Sequence, residues 1–421
     1  MTEQDALEYI DNGRWSQMRL GLDRITELMG RLGNPEKRLK YVHVTGTNGK
    51  GSTCAMTASI LKEAGYRTGM FTSPYIMHYS EQMMINGEPV GTGDFIDAVE
   101  IVKHAAEGMS DHPSKFELIT AAALVHFERK QCDIVVMEVG MGGATDSTNV
   151  IPSPEAAVIT NVGLDHTEYL GDTLEKIATV KCGMIKSGCD VVCYDGALDV
   201  TDVVRKRCSD TGARGHFPDF TDINHEKSDI YGETFTYKGI DYHIPLCGDY
   251  QTKNAVVAIE VIHALRDRGY NITDDNVVKG LAEVRWPARF EVLRDNPLFI
   301  LDGGHNLQCA QALESNIRKY MSDMKITFLM GVLRDKDYKD EVRLLIPYAK
   351  EFICVTPDNE RALPAEELAD IIIQLGGAAR AMQNVSDGVI IAMNNNNPVI
   401  AFGSLYMSGQ IRRLVLGKDR I

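Results

Sequence analysis

A short apolar, β-branched run, Val42-His43-Val44-Thr45, breaks at Gly46-Thr47-Asn48-Gly49-Lys50-Gly51-Ser52-Thr53, and a helical pattern then continues to about Gly65. Strand, glycine-rich turn, Lys-Gly-Ser-Thr and helix together make a cradle for phosphate. Glycines let backbone N–H groups come close to phosphate oxygens. The following helix turns its unpaired N–H groups and positive dipole end toward the same anion. Lys50 would add a point charge, and Ser52 or Thr53 a hydroxyl for Mg²⁺. The spacer is shorter than in G-x-x-x-x-G-K-[ST], and Gly51 separates Lys50 from Ser52. A generic glycine-rich turn is the alternative; the order of strand, lysine, paired hydroxyls and helix favours nucleotide phosphate.

With 421 residues the chain exceeds one ordinary core, so more than one domain is expected. The net charge of -15 argues against nucleic-acid and membrane partners, and it requires local positive charge wherever an anionic substrate binds. The nine scattered cysteines read as reduced core thiols rather than a disulfide framework. The start, Met1-Thr2-Glu3-Gln4-Asp5, carries no signal pattern and no apolar run approaches a membrane span, so the expected compartment is the cytoplasm.

Taken in order, residues 3–11 and 20–32 read as amphipathic helices. Strands are expected at 66–71, 132–139, 156–161 and 190–194, and helices at 93–107, 114–129 and 172–185. The stretch 75–90 reads as a loop or hairpin turning at Asn86-Gly87. From Asp195 to about Tyr250 the pattern weakens to two hairpin strands, 233–237 and 242–244. A long helix follows at 252–268, and Trp286-Pro287-Ala288-Arg289 reads as a hinge. Beyond it, strands at 298–302, 325–330, 352–356 and 399–403 alternate with helices at 306–320, 338–349, 364–375 and 386–393, the rhythm of a second parallel sheet.

Ser52, Glu138 and His166 each fall just past an expected strand, where open α/β sheets gather ligands. Separately, Glu138 reads as a strand-end carboxylate and His166 as a hydrogen-bonded histidine; with the loop, the three make a set for Mg²⁺. Such a site suits γ-phosphoryl transfer, with Mg²⁺ and Lys50 offsetting charge, and the acceptor need not be water.

At these residues the chain resembles the folylpolyglutamate synthase/dihydrofolate synthase family within the Mur ligases. The matching pieces are Val44–Ser52, Thr72-Ser73-Pro74, Phe116-Glu117, Glu138–Gly143, Asp146–Asn149, Leu164-Asp165-His166, Lys181-Cys182-Gly183, Gln251 with Asn254-Ala255, Ala288–Glu291, Asp302–Asn306, Gly331–Asp337 and Phe402–Tyr406. The resemblance implies an N-terminal P-loop-type Mur-ligase ATPase domain at residues 1–287, with a mostly parallel sheet, and a smaller C-terminal Rossmann-like α/β domain at 288–421. It implies an ATP-dependent amide ligase that adds L-glutamate to a folate through an acyl phosphate, as folylpolyglutamate synthase and also as dihydrofolate synthase, working as a monomer. Closure of the second domain over the first is expected to keep water away from the acyl phosphate.

The residue roles it implies are these. Gly46, Thr47, Asn48, Gly49, Lys50, Gly51, Ser52 and Thr53, with Asn254, Arg289 and Asp302, would bind ATP. Ser52, Glu138 and His166 would hold Mg²⁺, and Lys181, carbamylated by CO₂, would help hold a second ion. From spacing alone, Lys181 reads as a solvated helix lysine. Lys50, Lys181, His166 and His305 form the expected catalytic set. His305 and Ser404 would meet the glutamate, while Phe116, Glu117, Asp146 and Ser147 would line the other substrate's pocket. The segments 17–20, 114–117 and 145–147 match those lining a pterin site.

The chain departs from the family pattern in several places. Ala144 and Thr145 replace Arg-Leu, Tyr75 and Ile76 replace His-Leu after Ser73-Pro74, Gln82 replaces an arginine, and Gly304 and Leu307 replace Ala and Pro. These changes gather where the carboxylic acid should sit. They leave two alternatives: the same ligase chemistry on a non-folate acid, or a nucleotide-binding regulatory protein without turnover.

Overall fold

The computed structural model describes residues 1–11, 19–194 and 196–417. Gln17 and Met18, in one expected pterin segment, lie outside the described residues.

Helices α1 (Glu3–Asp11) and α2 (Asp23–Arg31) lead into β1 (Tyr41–Thr45), whose five residues are all buried. After it come α3 (Lys50–Glu63), β2 (Thr68–Phe71), β3 (Met83–Ile85), β4 (Glu88–Pro89), α4 (Thr92–Ala106), α5 (Lys115–Arg129) and β5 (Ile134–Glu138). Then follow β6 (Ala156–Ile159), α6 (Thr167–Leu170), α7 (Leu174–Cys182), β7 (Asp190–Cys193), α8 (Leu198–Thr211) and β8 (Arg214–His216). The strands form one eight-stranded sheet in the order β4-β3-β2-β5-β1-β6-β7-β8. From β2 to β8 the neighbours run parallel, and at the other edge the β2–β3 pair and the β3–β4 hairpin are antiparallel. Asn86 and Gly87 turn that hairpin at φ 53° and 82°, both positive as a tight two-residue turn requires.

β1 sits between β5 and β6. The chain leaves β1 for β2 on one side, returns through β5, and then crosses to β6 on the other side. Such a reversal opens a crevice at the carboxyl ends of the central strands. Register pairs His43 with both Met137 and Ala157, so Tyr41, His43 and Thr45 share one sheet face with Phe71, Val135, Met137, Ile159, Val191 and Cys193. That face is covered in two patches. One joins it to α4 and α5, and the other to α7 and α8.

The stretch from 195 to 250, expected to hold only two strands, contains more. α8 and β8 are followed by a three-stranded sheet of β9 (Asn224–Asp229), β10 (Gly232–Tyr237) and β11 (Ile240–Ile244), in the order β11-β10-β9. α8 buries only Val200, Thr201, Val204 and Cys208, a stripe too narrow to register as an amphipathic pattern. After α9 (Asp249–Asp267), α10 (Asp274–Ala282) was also not expected, although Thr273 and Asn276 form a capping box at its start.

The remaining elements are β12 (Glu291–Asp295), β13 (Leu298–Leu301), α11 (Leu307–Tyr320), β14 (Ile326–Met330), α12 (Tyr338–Leu345), β15 (Ala349–Cys354), α13 (Ala365–Gln374), β16 (Ala379–Ala381), α14 (Val385–Met393), β17 (Val399–Phe402) and α15 (Ser408–Leu416). Their six-stranded sheet has the order β12-β13-β17-β14-β15-β16 and is parallel except for β12.

Two compact units result. One comprises Met1–Asn224, Tyr237–Tyr242 and Lys253–Val284; the other comprises His225–Thr236, His243–Thr252 and Arg285–Ile421. The second unit thus takes two pieces from before residue 287. Fully buried Glu233 explains this: it accepts hydrogen bonds from Ser228, from the Gly248 N–H, and from Lys319 and Tyr320 of α11.

Candidate active site

In the first unit the loop after β1 is wedged between two other segments. Gly46 lies at φ 156° and a Cβ there would overlap the Thr160 hydroxyl; Gly49 lies at φ 86° and a Cβ there would come 2.6 Å from Asn254 Oδ1. The N–H groups of Thr47 and Asn48 donate to Asn161 O at 2.7 and 3.3 Å, and the Thr160 hydroxyl donates to Asn48 O at 2.8 Å. The segment after β6 and Asn254 of α9 therefore hold the turn in shape. α3 begins at Lys50 with no side-chain cap, so its first N–H groups face outward from the loop. Lys50 Nζ folds back onto Gly46 O and Thr47 O at 3.2 and 3.1 Å.

Glu138, at the end of β5, pairs in register with Val44, one strand from the loop, and is 5% exposed. Its Oε2 accepts from the Ser73 N–H at 3.3 Å. Ser52, in the first turn of α3, is 3% exposed. Burial raises the pKa of the Cys54 thiol, Glu138 adds to the rise and Lys50 opposes it, so both charges lie near the start of α3. His166 follows β6 in a left-handed conformation at φ 50°, is exposed, and caps α6. The three residues thus follow the carboxyl ends of three adjacent strands.

Lys181 is not the solvated lysine that spacing suggests. It is 3% exposed, and its Nζ donates to Gly46 O at 2.8 Å. Burial, assisted by Lys50, lowers its pKa to about 7, so a sizeable fraction of the amine is neutral and nucleophilic at neutral pH. As an ammonium it cannot ligate a cation. The buried hydroxyl and carboxylate beside a helix N-terminus are hard oxygen donors and fit a magnesium ion. Among the described residues, the one tight cluster of three His, Cys or acidic ligand atoms is His225, Glu233 and Asp249, and there the Lys319 ammonium already bonds Asp249 at 2.6 Å and Glu233 at 3.2 Å.

Of the residues expected to line the other substrate's pocket, Glu117 has a structural task. It is fully buried and forms a capping box with Ser114; its Oε2 accepts from the Ser114 N–H at 2.6 Å and from Arg24 Nε at 3.0 Å. Phe116 packs 6.0 Å from Phe71 and closely over Gly140, where a Cβ would lie 2.5 Å from the ring. The Tyr75 and Tyr79 rings lie tilted against each other with centroids 4.4 Å apart, and Lys115 sits over the Tyr79 ring. Phe71 and Tyr79 were not singled out in the sequence; Phe71 has only a strand-end signal.

Asp146 is 6% exposed, and its carboxylate accepts from the Met141 N–H at 2.8 Å and from the Thr148 N–H and hydroxyl at 3.0 and 2.5 Å. Ser147, 8% exposed, opens the short helical turn that follows. Gly143 passes so close to α7 that a Cβ would be 2.5 Å from Lys181 O, while Ala144 fills the space over Gly183.

The second unit gathers its expected residues at the carboxyl ends of β13 and β17. Asp302 accepts from the Phe290 and Gly304 N–H groups at 3.1 and 2.7 Å; burial raises its pKa, and these bonds with Arg289 oppose the rise. Arg289 lies between two left-handed residues, Ala288 at φ 54° and Phe290 at φ 50°, and donates to Ala288 O at 2.8 Å. His305 Nδ1 donates to Gly303 O at 3.1 Å. Ser404 is 2% exposed and accepts from the Tyr406 N–H at 3.2 Å; the Gly403 N–H donates to Gly304 O at 3.1 Å, tying the two loops together.

Residues 44–262 match the Mur ligase middle domain, and residues 288–404 match the Mur ligase glutamate ligase domain. The folylpolyglutamate synthase of Lacticaseibacillus casei is 35% identical over 94% of each chain. The dihydrofolate synthase/folylpolyglutamate synthase of Bacillus subtilis is 33% identical over 97% of this chain and 98% of the relative. Among solved structures, the Mycobacterium tuberculosis folylpolyglutamate synthase complexed with ADP superposes with a TM-score of 0.90 at 27% identity over 100% of both chains.

Proposed function

The chain belongs to the folylpolyglutamate synthase/dihydrofolate synthase family of Mur ligases, and from that membership we propose that it uses ATP to join L-glutamate to a folate. It is an ATP-dependent ligase. The folate carboxylate attacks the γ-phosphorus of ATP and expels ADP, leaving an acyl phosphate. The α-amine of glutamate then attacks the acyl carbon, loses a proton and expels phosphate.

The residues share this work as follows. N–H groups of the Gly46–Gly49 turn and of the first turn of α3 receive the phosphate oxygens. Lys50, released from Gly46 O and Thr47 O, meets the charge that develops on the transferred group. Asn254, Arg289 and Asp302 serve the nucleotide. Phe116, Asp146 and Ser147 serve the folate, and His305 and Ser404 the glutamate. Ser52, Glu138 and His166 would hold magnesium, which when bound would offset the repulsion between two anions. The neutral amine of Lys181 would add to CO₂ and release one proton, leaving a carbamate whose oxygens would be donors for a second ion. Phe116, backed by the fully buried Phe71, offers a ring that would suit a planar pterin over an aliphatic acid. No described helix is long and apolar enough to cross a membrane, and we place the enzyme in the cytoplasm as a monomer.

The observation that carries this reading is the Gly46–Ser52 loop, built at the central strand's carboxyl end with buried Glu138 on the adjoining strand. Purified protein with Mg·ATP should release phosphate only when tetrahydrofolate and L-glutamate are both present, and dihydropteroate in place of tetrahydrofolate reports the second activity. ATP binding without turnover on either acid would overturn the folate assignment.

A further inference from the structure

His43 stands in the middle of β1 on the sheet face that carries the two apolar patches, and it is 0% exposed. An imidazole is an unusual tenant among Val135, Met137, Ala157 and Ile159, because a buried polar group is costly unless it is hydrogen-bonded. Its Nε2 lies 2.9 Å from Thr148 Oγ1, and its Nδ1 is buried with no hydrogen-bond partner among the described residues. Thr148 Oγ1 is in turn 2.5 Å from Asp146 Oδ1.

The direction of these bonds follows from proton counting. Burial raises the pKa of Asp146, and the Thr148 hydroxyl with the N–H groups of Met141 and Thr148, all of them donors, oppose that rise and favour the carboxylate, so the single proton of the Thr148 hydroxyl points to it. The hydroxyl oxygen is then left to accept, and Nε2 must carry the ring proton. The ring stays neutral, since burial, with Lys186 nearby, pushes its pKa down to about 3. His43 therefore works as a fixed donor and not as a titrating group.

We propose that His43 is a positioning residue for the carboxylic acid substrate: through the Thr148 hydroxyl it fixes Asp146, and Asp146 through the Met141 N–H fixes the Gly140–Gly143 loop on which Phe116 rests. This rests on the reading of Asp146 and Phe116 as part of the folate pocket. The same loop runs beside Lys181 at Gly143, so a slack Asp146 would loosen both the acid pocket and the lysine's surroundings. Chains of buried hydrogen bonds of this kind hold one geometry because every alternative leaves a polar atom unpaired.

Four variants separate this role from simple core filling. His43→Met removes the donor at similar volume, His43→Gln restores an N–H near the position of Nε2, and Thr148→Val removes the relay alone. Assayed with Mg·ATP, L-glutamate and tetrahydrofolate, His43→Met and Thr148→Val should raise the KM for tetrahydrofolate about tenfold and leave the KM for ATP within twofold, and His43→Gln and Thr148→Ser should recover most of the loss. Nitrogen-15 spectra of the unmodified protein should show His43 protonated at Nε2 only, unchanged from pH 5 to 9. Equal behaviour of His43→Met and His43→Gln, a parallel loss for ATP, or an Nδ1-protonated ring would overturn the proposal. Asp146→Asn tests the underlying reading by itself: an unchanged KM for tetrahydrofolate removes Asp146 from the pocket even if the spectra uphold the hydrogen-bond chain.

Discussion

Two buried ionisable side chains show how burial without a full set of partners changes what a residue can do. Glu341 on α12 is 1% exposed, and neither of its carboxyl oxygens has a hydrogen-bond partner among the described residues. Burial raises its pKa from 4.5 to about 7, with Lys336 opposing. The folded state therefore prefers the protonated form. Below the unfolded value both states are protonated and the site costs nothing through ionisation. As pH rises toward 7 the unfolded chain ionises first, and stability falls by an amount on the order of 3 kcal/mol before levelling off above the folded value. Glu341→Met should abolish this slope and be the more stable protein at pH 8, with little difference at pH 4.5. Urea unfolding at the two pH values checks it, and an unchanged slope would mean that the carboxyl has found water. Lys181 is the second case. Lys181→Arg keeps a cation but cannot react with CO₂, so kcat should drop by about two orders of magnitude. In the unmodified enzyme, ¹³C-bicarbonate should yield a carbamate signal that grows as pH rises through 7, where the amine becomes neutral.

At the scale of elements, α5 illustrates how one residue type can serve a fold and a site, and how the two are told apart. Glu117 closes the capping box at the start of α5 and pairs with Arg24, which is itself largely buried. Truncating one partner of such a pair leaves the other charge unpaired, so Glu117→Ala should cost about 3 kcal/mol. Its KM for tetrahydrofolate should stay near normal at a temperature where the variant is folded. Thermal unfolding with parallel kinetics checks this; a normal melting temperature with a raised KM would restore Glu117 to the substrate. The central elements were legible because a parallel strand covered on both faces is a largely apolar run, as in β5, β6, β14 and β17, with His43 the one basic residue inside β1. The edge strands β8, β12 and β16 carry exposed Arg214, Arg294 and Arg380 and offer no such run. The phosphate loop could be read because its chemistry is contiguous in the chain. The Glu117–Arg24 pair and the link from His43 to Asp146 join residues 93 and 105 or fewer positions apart, step by step, and no local pattern announces them.

For the molecule as a whole, charge decides how its ligands bind. A protein with a net charge of -15 must accept ATP, a folate and glutamate, all of them anions at neutral pH. The general field opposes them, and near the phosphate loop Lys50, Lys181 and the uncapped N-terminus of α3 favour them, with Glu138 acting against. The nucleotide should therefore bind well only together with its cation. A ligand that binds the folded state stabilises it by about 2.7 kcal/mol at a hundredfold excess over Kd, which for a chain of 421 residues raises the melting temperature by roughly 3 °C. Mg·ATP should produce such a rise, and ATP with EDTA a much smaller one. On the proposed assignment Glu138→Gln removes both a repelling charge and a cation ligand, so it should bring the two shifts together: ATP with EDTA should gain because the carboxylate no longer repels the phosphates, and Mg·ATP should lose because the ion would lack an oxygen donor. Calorimetry under the four conditions checks it. If Glu138→Gln left a large gap between the shifts, the cation would be held elsewhere and the carboxylate at the end of β5 would be a strand-end residue bonded to Ser73 and nothing more.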